Sequence, residues 1–139
     1  MKISTKIRYG LRAVVNIAEG NLTENRLVRI KEISEEQNIS VQYLEQILFK
    51  LKKKDIIKGK RGPNGGYKIT RNPEDITVLE LYEILDEEIN VVNCNECKNE
   101  ECIKEECRTH GLWAQIDNAL KEILSQTTLL DLMKQKHLI

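Results

Sequence analysis

No stretch of this 139-residue sequence approaches the roughly 18 uninterrupted apolar residues of a membrane-spanning helix. The opening, MKISTKIRYGLRAVV, also lacks the apolar run and small-residue cleavage site of a secretory signal, so a cytoplasmic protein is expected. Internal repeats and low-complexity tracts are absent. The glycine-rich GPNGG is not followed by the Lys-Ser/Thr pair of a Walker phosphate loop. No paired catalytic carboxylates and no second cofactor motif stand out, which leaves no argument for an enzyme or an electron carrier. Net charge is missing too, with 22 Lys/Arg against 22 Asp/Glu.

That zero conceals an asymmetry. Residues 1–75 carry 16 basic and 9 acidic side chains, a net +7. Residues 76–139 carry 6 and 13, a net −7. A basic half joined to an acidic half implies two jobs, one of them facing a polyanion. We therefore divide the chain into a unit spanning 1–75 and a second region spanning 76–139.

Apolar periodicity fills in the first unit. Ser4 is placed to cap a helix running to about Glu19, with Ile7, Leu11, Val14, Val15 and Ala18 on one face. GNLTEN reads as a connection, and VRIKEISEEQN as a short helix with Ile30 and Ile33 inward. Asn38 ends it, and Ser40 caps a third helix from Val41 to about Lys53, whose stripe is Val41, Leu44, Ile47, Leu48 and Leu51. Two strands, about Ile56 to Lys60 and Gly66 to Thr70, then flank the turn RGPNGG. In the second region, TVLE is a capping-box pattern opening a helix with Val78, Leu81, Tyr82 and Leu85 on its stripe. A longer helix from about Leu112 to Ser125 carries Leu112, Ile116, Ala119, Leu120 and Ile123 on one face. TTLLDLMKQ reads as a short terminal helix capped by Thr128.

Three helices followed by a hairpin is the element order of a winged helix-turn-helix: mainly α, with a small β wing. In that geometry the third helix enters the DNA major groove. Its polar face presents Ser40, Gln42, Tyr43, Glu45 and Gln46 to base edges and phosphates. Lys50, Lys52, Lys53 and Lys54 follow on the same helix end, and Lys58, Lys60 and Arg61 lie on the hairpin. The bland alternative is a solvated lysine face on an ordinary helical domain. Element order, turn chemistry and the +7 balance together favour binding to double-stranded DNA.

Every cysteine falls in one acidic stretch, CNECKNEECIKEECRTHGLW, with the spacing Cys94-x2-Cys97-x4-Cys102-x4-Cys107-x2-His110. Clustered thiols in a reducing compartment point to metal or redox chemistry ahead of disulfides. Four thiolates and an imidazole offer five candidate ligands for an iron–sulfur cluster or for zinc. The surrounding glutamates are expected to raise the thiol pKa values, against a low-pKa nucleophile. Direct thiol oxidation is a further reading.

MKISTKIRYGLRAVVNIA, ISVQYLEQILFKLKK, RGPNGGYKI, TVLELYEIL and CxxHGLW together resemble the Rrf-two family of winged-helix regulators, which includes the IscR, NsrR and CymR types. The iron–sulfur regulator type is the nearest of these. The resemblance spans nearly the whole chain. It implies a homodimeric transcription factor, a repressor, whose dimerisation helix is Leu112 to Ser125 and whose operator is an inverted repeat. It carries the DNA-contacting role over to Ser40, Gln42, Tyr43, Glu45, Gln46, Lys60 and Arg61. It also implies a cluster held by Cys97, Cys102, Cys107 and His110, with a two-iron two-sulfur cluster ahead of a four-iron four-sulfur one and zinc behind both. Two departures bear on that ligand set: both intervals between the three cysteines are one residue shorter than the family pattern, and Cys94 is extra, an alternative fourth ligand. A cluster-free repressor answering to a small ligand, a partner protein or thiol oxidation is the other reading.

Overall fold

The computed structural model describes residues 3–86 and 107–135. Cys94, Cys97, Cys102 and the tail around His137 lie outside the described residues. Helices α1 (Thr5–Thr23), α2 (Ile30–Gln37) and α3 (Val41–Lys53) come first. The hairpin β1 (Ile57–Lys60) and β2 (Gly66–Ile69) follows, then a 3-10 turn (Pro73–Asp75). Helix α4 (Val78–Asp86) precedes α5 (His110–Gln126) and α6 (Leu129–Lys134). This is the mainly helical, winged helix-turn-helix architecture. No helix among the described residues is long and apolar enough to cross a membrane.

Local chemistry explains the boundaries. Ser4 Oγ accepts from the Ile7 amide at 3.3 Å, and Ser40 Oγ from the Tyr43 amide at 3.2 Å, so each N-terminus has one orphan donor satisfied. Asn38 closes α2 in the left-handed conformation, with φ 55°. It also lets the chain turn sharply into buried Ile39.

Three expectations need correction. Helix α1 runs past Glu19 to Thr23, because the Asn21 side chain is bonded to the hairpin and holds the last turn in place. Helix α2 starts at Ile30 and not Val28, because the Val28 backbone pairs with Tyr67 instead, at 3.1 and 2.7 Å. Val41 is 37% exposed and not part of the buried stripe, since it lies in the first turn of α3, beyond the edge of the core.

One core joins both halves of the chain. It takes Ile7, Val14 and Ile17 from α1, Ile33 from α2, and Leu44, Ile47, Leu48 and Leu51 from α3. Ile76, Leu81, Leu85 and Leu129 complete it from beyond position 75. Helix α6 reaches this core because the chain returns to the start of α4. The Val78 amide donates to the Thr127 carbonyl at 2.8 Å, and the Leu129 amide to the Ile76 carbonyl at 2.8 Å. Thr128 and Asp131 form a reciprocal capping box that starts α6 at that point. At the expected TVLE box, Thr77 Oγ1 accepts from the Glu80 amide at 3.2 Å, while the Glu80 carboxylate pairs with Arg71 at 2.7 Å.

Leu129 is fully buried. Leu129→Ala should cost about 2–5 kcal/mol of unfolding free energy, read by urea denaturation, with a single transition shifted as a whole. A change under about 1 kcal/mol would mean that α6 does not dock on the core.

Candidate functional site

Two sets of residues predicted from the sequence occupy different parts of the fold. The first lies on α3 and the hairpin. Ser40, Gln42, Glu45, Gln46, Lys60 and Arg61 are all exposed, and Tyr43 is half-buried. Ser40 is committed to capping α3 through its hydroxyl. The Tyr43 ring packs edge-on against Tyr9 at 5.7 Å, and the Arg12 guanidinium sits over that second ring at 5.4 Å. Tyr43 is therefore held from below while its edge stays accessible.

The hairpin is fastened to the helical body at its base. Beyond the Val28–Tyr67 pairing, the Asn21 amide donates to the carbonyls of Arg26 and Tyr67, at 2.8 and 3.2 Å. Asn21 Oδ1 accepts from the Ile69 amide at 2.9 Å. Gly66 has φ 144°, and a Cβ there would press on the Val28 backbone at 2.9 Å. Only glycine allows that approach. At the tip, Arg29 bonds the carbonyls of Gly62 and Pro63. The outcome is a wing whose angle to α3 is set by backbone pairing.

Between wing and helices lies a cleft of about 480 Å³ lined by Arg29, Lys31, Lys52, Lys60 and Arg61, with Tyr67 and the hairpin glycines. None of its lining residues is acidic. Five cations around a shallow concavity suit phosphate oxygens. Arg29 and Lys31 were not singled out from the sequence. The signal was there: they are the two cations at the start of α2, a segment that otherwise turns acidic.

The second set sits at the start of α5. Cys107 is partly exposed and His110 exposed, on either side of the turn that opens the helix. Cys107 Sγ lies 3.4 Å from Thr109 Oγ1. That contact, with backbone N–H groups of Thr109 and His110, holds the Cys107 thiol below its ordinary pKa. The general expectation of raised thiols thus fails at Cys107, where hydrogen-bond donors at a helix start favour the thiolate. Among the described residues no group of three or more metal-ligating side chains is brought together. Of the predicted ligands Cys97, Cys102, Cys107 and His110, with Cys94 as the alternative, only Cys107 and His110 lie within the described residues. The fit there is good: a thiol biased to thiolate, the form that ligates, and an accessible imidazole.

Helix α5 has no buried residue along its 17-residue length. Leu120 and Leu124 lean on the core, whereas Leu112 is 51% and Ile123 60% exposed. Trp113 is half-buried. Part of the α5 apolar stripe is thus left uncovered by the single chain.

The lowered Cys107 pKa has a direct readout. In a variant with serine at the other three cysteines, Thr109→Val should move the pH midpoint of Cys107 alkylation upward, because the thiolate loses its hydroxyl donor. An unchanged midpoint would show that the Thr109 hydroxyl does not act on the thiol.

Known proteins agree with this architecture. The Rrf2 family pattern, described as an iron-dependent transcriptional regulator, matches residues 3–135. The HTH-type transcriptional regulator IscR of Cereibacter sphaeroides is 35% identical, over 98% of this chain and 89% of its own. The structure of CymR, the global cysteine regulator of B. subtilis, superposes with a TM-score of 0.80 at 34% identity, covering 99% of both chains. T. potens IscR superposes with a TM-score of 0.75 at 30% identity, over 96% of this chain and 87% of its own. These relatives are named as regulators and not as enzymes. The chain belongs to the Rrf2 family of winged helix-turn-helix transcriptional regulators.

Proposed function

We propose that this protein is a cytoplasmic, homodimeric repressor that binds an inverted-repeat operator under the control of an iron–sulfur cluster. The observation that carries the reading is the placement of the cysteine segment. It ends at Cys107, just before α5, and at His110, the first residue of α5, the helix with the uncovered apolar stripe. Cys97, Cys102, Cys107 and His110 are the residues that would hold the cluster, with Cys94 in reserve. Such a cluster supplies a ligand cross-link that is lost under iron limitation, oxygen or nitric oxide.

The chain's own residues supply the rest. Leu112, Ile116, Ala119, Leu120 and Ile123 give α5 a face for its twofold mate. Gln42, Tyr43, Glu45 and Gln46 read base edges, Ser40 fixes the helix that carries them, and Lys60 and Arg61 reach the backbone or minor groove from the wing. Tying the start of α5 to the preceding segment biases how α5 meets its mate, and with it the spacing of the two α3 helices. Domain roles follow the charge division: residues 1–75 read DNA, and residues 76–139 dimerise and sense.

A second reading has its own support. CymR superposes on this chain with a TM-score of 0.80 at 34% identity, against 0.75 at 30% for T. potens IscR. In a cluster-free repressor the thiols, or zinc bound to them, would serve stability or direct oxidation sensing.

Protein purified without oxygen separates the two. A brown solution with visible absorption bands and equal iron and acid-labile sulfide per chain is the expected result. Cys102→Ala with Cys107→Ala should abolish the colour and change operator affinity. Colourless protein that contains zinc, or takes up no iron after attempted reconstitution, would overturn the cluster.

A further inference from the structure

Phe49 is 66% exposed, more than any other large apolar side chain among the described residues. Ile123 and Leu112 also stand out, but they belong to the α5 stripe already assigned. Phe49 lies on α3, and the fold makes no use of its ring. The buried residues of that helix are Leu44, Ile47, Leu48 and Leu51. At about 100° per residue, Gln42, Gln46, Phe49 and Lys53 fall together on the opposite side. Phe49 is therefore in line with the polar residues assigned to base reading, about 10 Å further along the axis than Gln42 at 1.5 Å per residue. On B-form DNA that is about three base-pair steps.

We propose that Phe49 is a specificity-determining residue that packs its ring against the C5-methyl of a thymine in the major groove. The inference rests on the operator-binding reading and deepens it. A phenyl ring has no donor or acceptor, so it cannot read the polar code of a base edge. The thymine methyl is the apolar feature that the groove offers. The surroundings select the occupant. Glu45 lies one turn before Phe49, but the last turn of α3 carries three cations, Lys50, Lys52 and Lys53, and Lys54 caps it, so the charge around the ring is net positive. A protein partner covering Phe49 would have to desolvate ammonium groups around it, whereas DNA brings phosphates to them. One apolar ring within a lysine-rich helix end matches a groove with a methyl on its floor and anions on its rims.

The test uses the full-length protein, purified without oxygen, and an operator enriched from a random duplex library. Each thymine of one half-site is replaced in turn by deoxyuridine, which removes only the methyl. Wild-type protein should lose about fourfold in affinity at one position, the size expected for one buried methyl group. Phe49→Ala should bind more weakly overall and show no loss at that position, with an unchanged melting temperature because the ring is exposed. Phe49→Leu should retain part of the methyl effect.

A flat profile for wild type, or an equal loss in Phe49→Ala, overturns the assignment while leaving the operator reading intact. A flat profile accompanied by a changed oligomeric state in Phe49→Ala would place the ring between copies of this chain, and also overturns it. Failure to enrich any sequence defeats the operator reading itself, and the inference with it.

Discussion

The structure depends on a clasp of two backbone hydrogen bonds. The Val78 amide meets the Thr127 carbonyl, and the Leu129 amide meets the Ile76 carbonyl, both at 2.8 Å. They bring together points far apart in sequence and close a long excursion through α4, the cysteine segment and α5. Closing a loop of that length costs entropy that grows only slowly with its size. Burial of Leu129 against Ile76, Leu81 and the α1 face offsets it. Because both ends of the excursion are anchored at one place, α5 can lie outside the core with no residue buried and still have a fixed C-terminal end. Its other end, about 25 Å away at 1.5 Å per residue, carries Cys107 and His110. A restraint applied there would act on a helix whose far end is bonded to the start of α4.

At the opposite side of the core the same logic fixes the reading head. The wing could hinge about β1 and β2 if it were held by their pairing alone. The Val28–Tyr67 bridge adds a third backbone partner, and Asn21, at the end of α1, adds two hydrogen bonds to β2. Helix α3 is clamped by Leu44, Ile47, Leu48 and Leu51, all at or below 1% exposure. Wing and recognition helix therefore move as one piece. In the proposed dimer, adjustment between operator-fitting and non-fitting states would fall to the relation between two such heads.

Much of this was legible in the sequence where the governing interactions are local. Helix α3 came out with its limits, because Ser40 is a cap and the apolar spacing is clean. The Thr128 cap of α6, the Asn38 stop and the RGPNGG turn were equally readable, since each is decided within a few residues. Contacts between distant segments were not. Nothing around Asn21 announces a partner at Ile69, and Val28 looked like the first residue of a helix because its β-pairing with Tyr67 is invisible locally. Val41 fits the helical period of its neighbours, yet lies in the first turn, where the core has run out. At the candidate site, exposure of the α3 residues followed from periodicity. Arg29 and Lys31 were legible in the sequence as the cations at the start of α2, but their place beside Lys60 and Arg61 is set by the fold of the wing. Phe49 was passed over because sequence reasoning sorted α3 into apolar-inside and polar-outside, and an apolar residue on the outer face has no place in that scheme.

Exposed apolar groups on α3 and α5 illustrate how surroundings decide what covers such surface. On α5 the uncovered side chains form a continuous stripe from Leu112 to Ile123, and the charged residues beside it, Asp117, Lys121 and Glu122, nearly balance. A surface of that kind can meet its own copy about a twofold axis, because stripe faces stripe and opposite charges can pair across the seam. On α3 there is one exposed apolar ring, Phe49, with Glu45 one turn before it and Lys50, Lys52 and Lys53 beside and after it. Two copies brought together there would oppose lysine to lysine, so self-association is disfavoured by the same electrostatics that favour a phosphate-lined groove. Under the proposed function, the +7 and −7 halves of the sequence would cover exposed hydrophobic surface in two different ways. Burial against a like partner suits the near-neutral helix of the acidic half, and burial against nucleic acid suits the basic one.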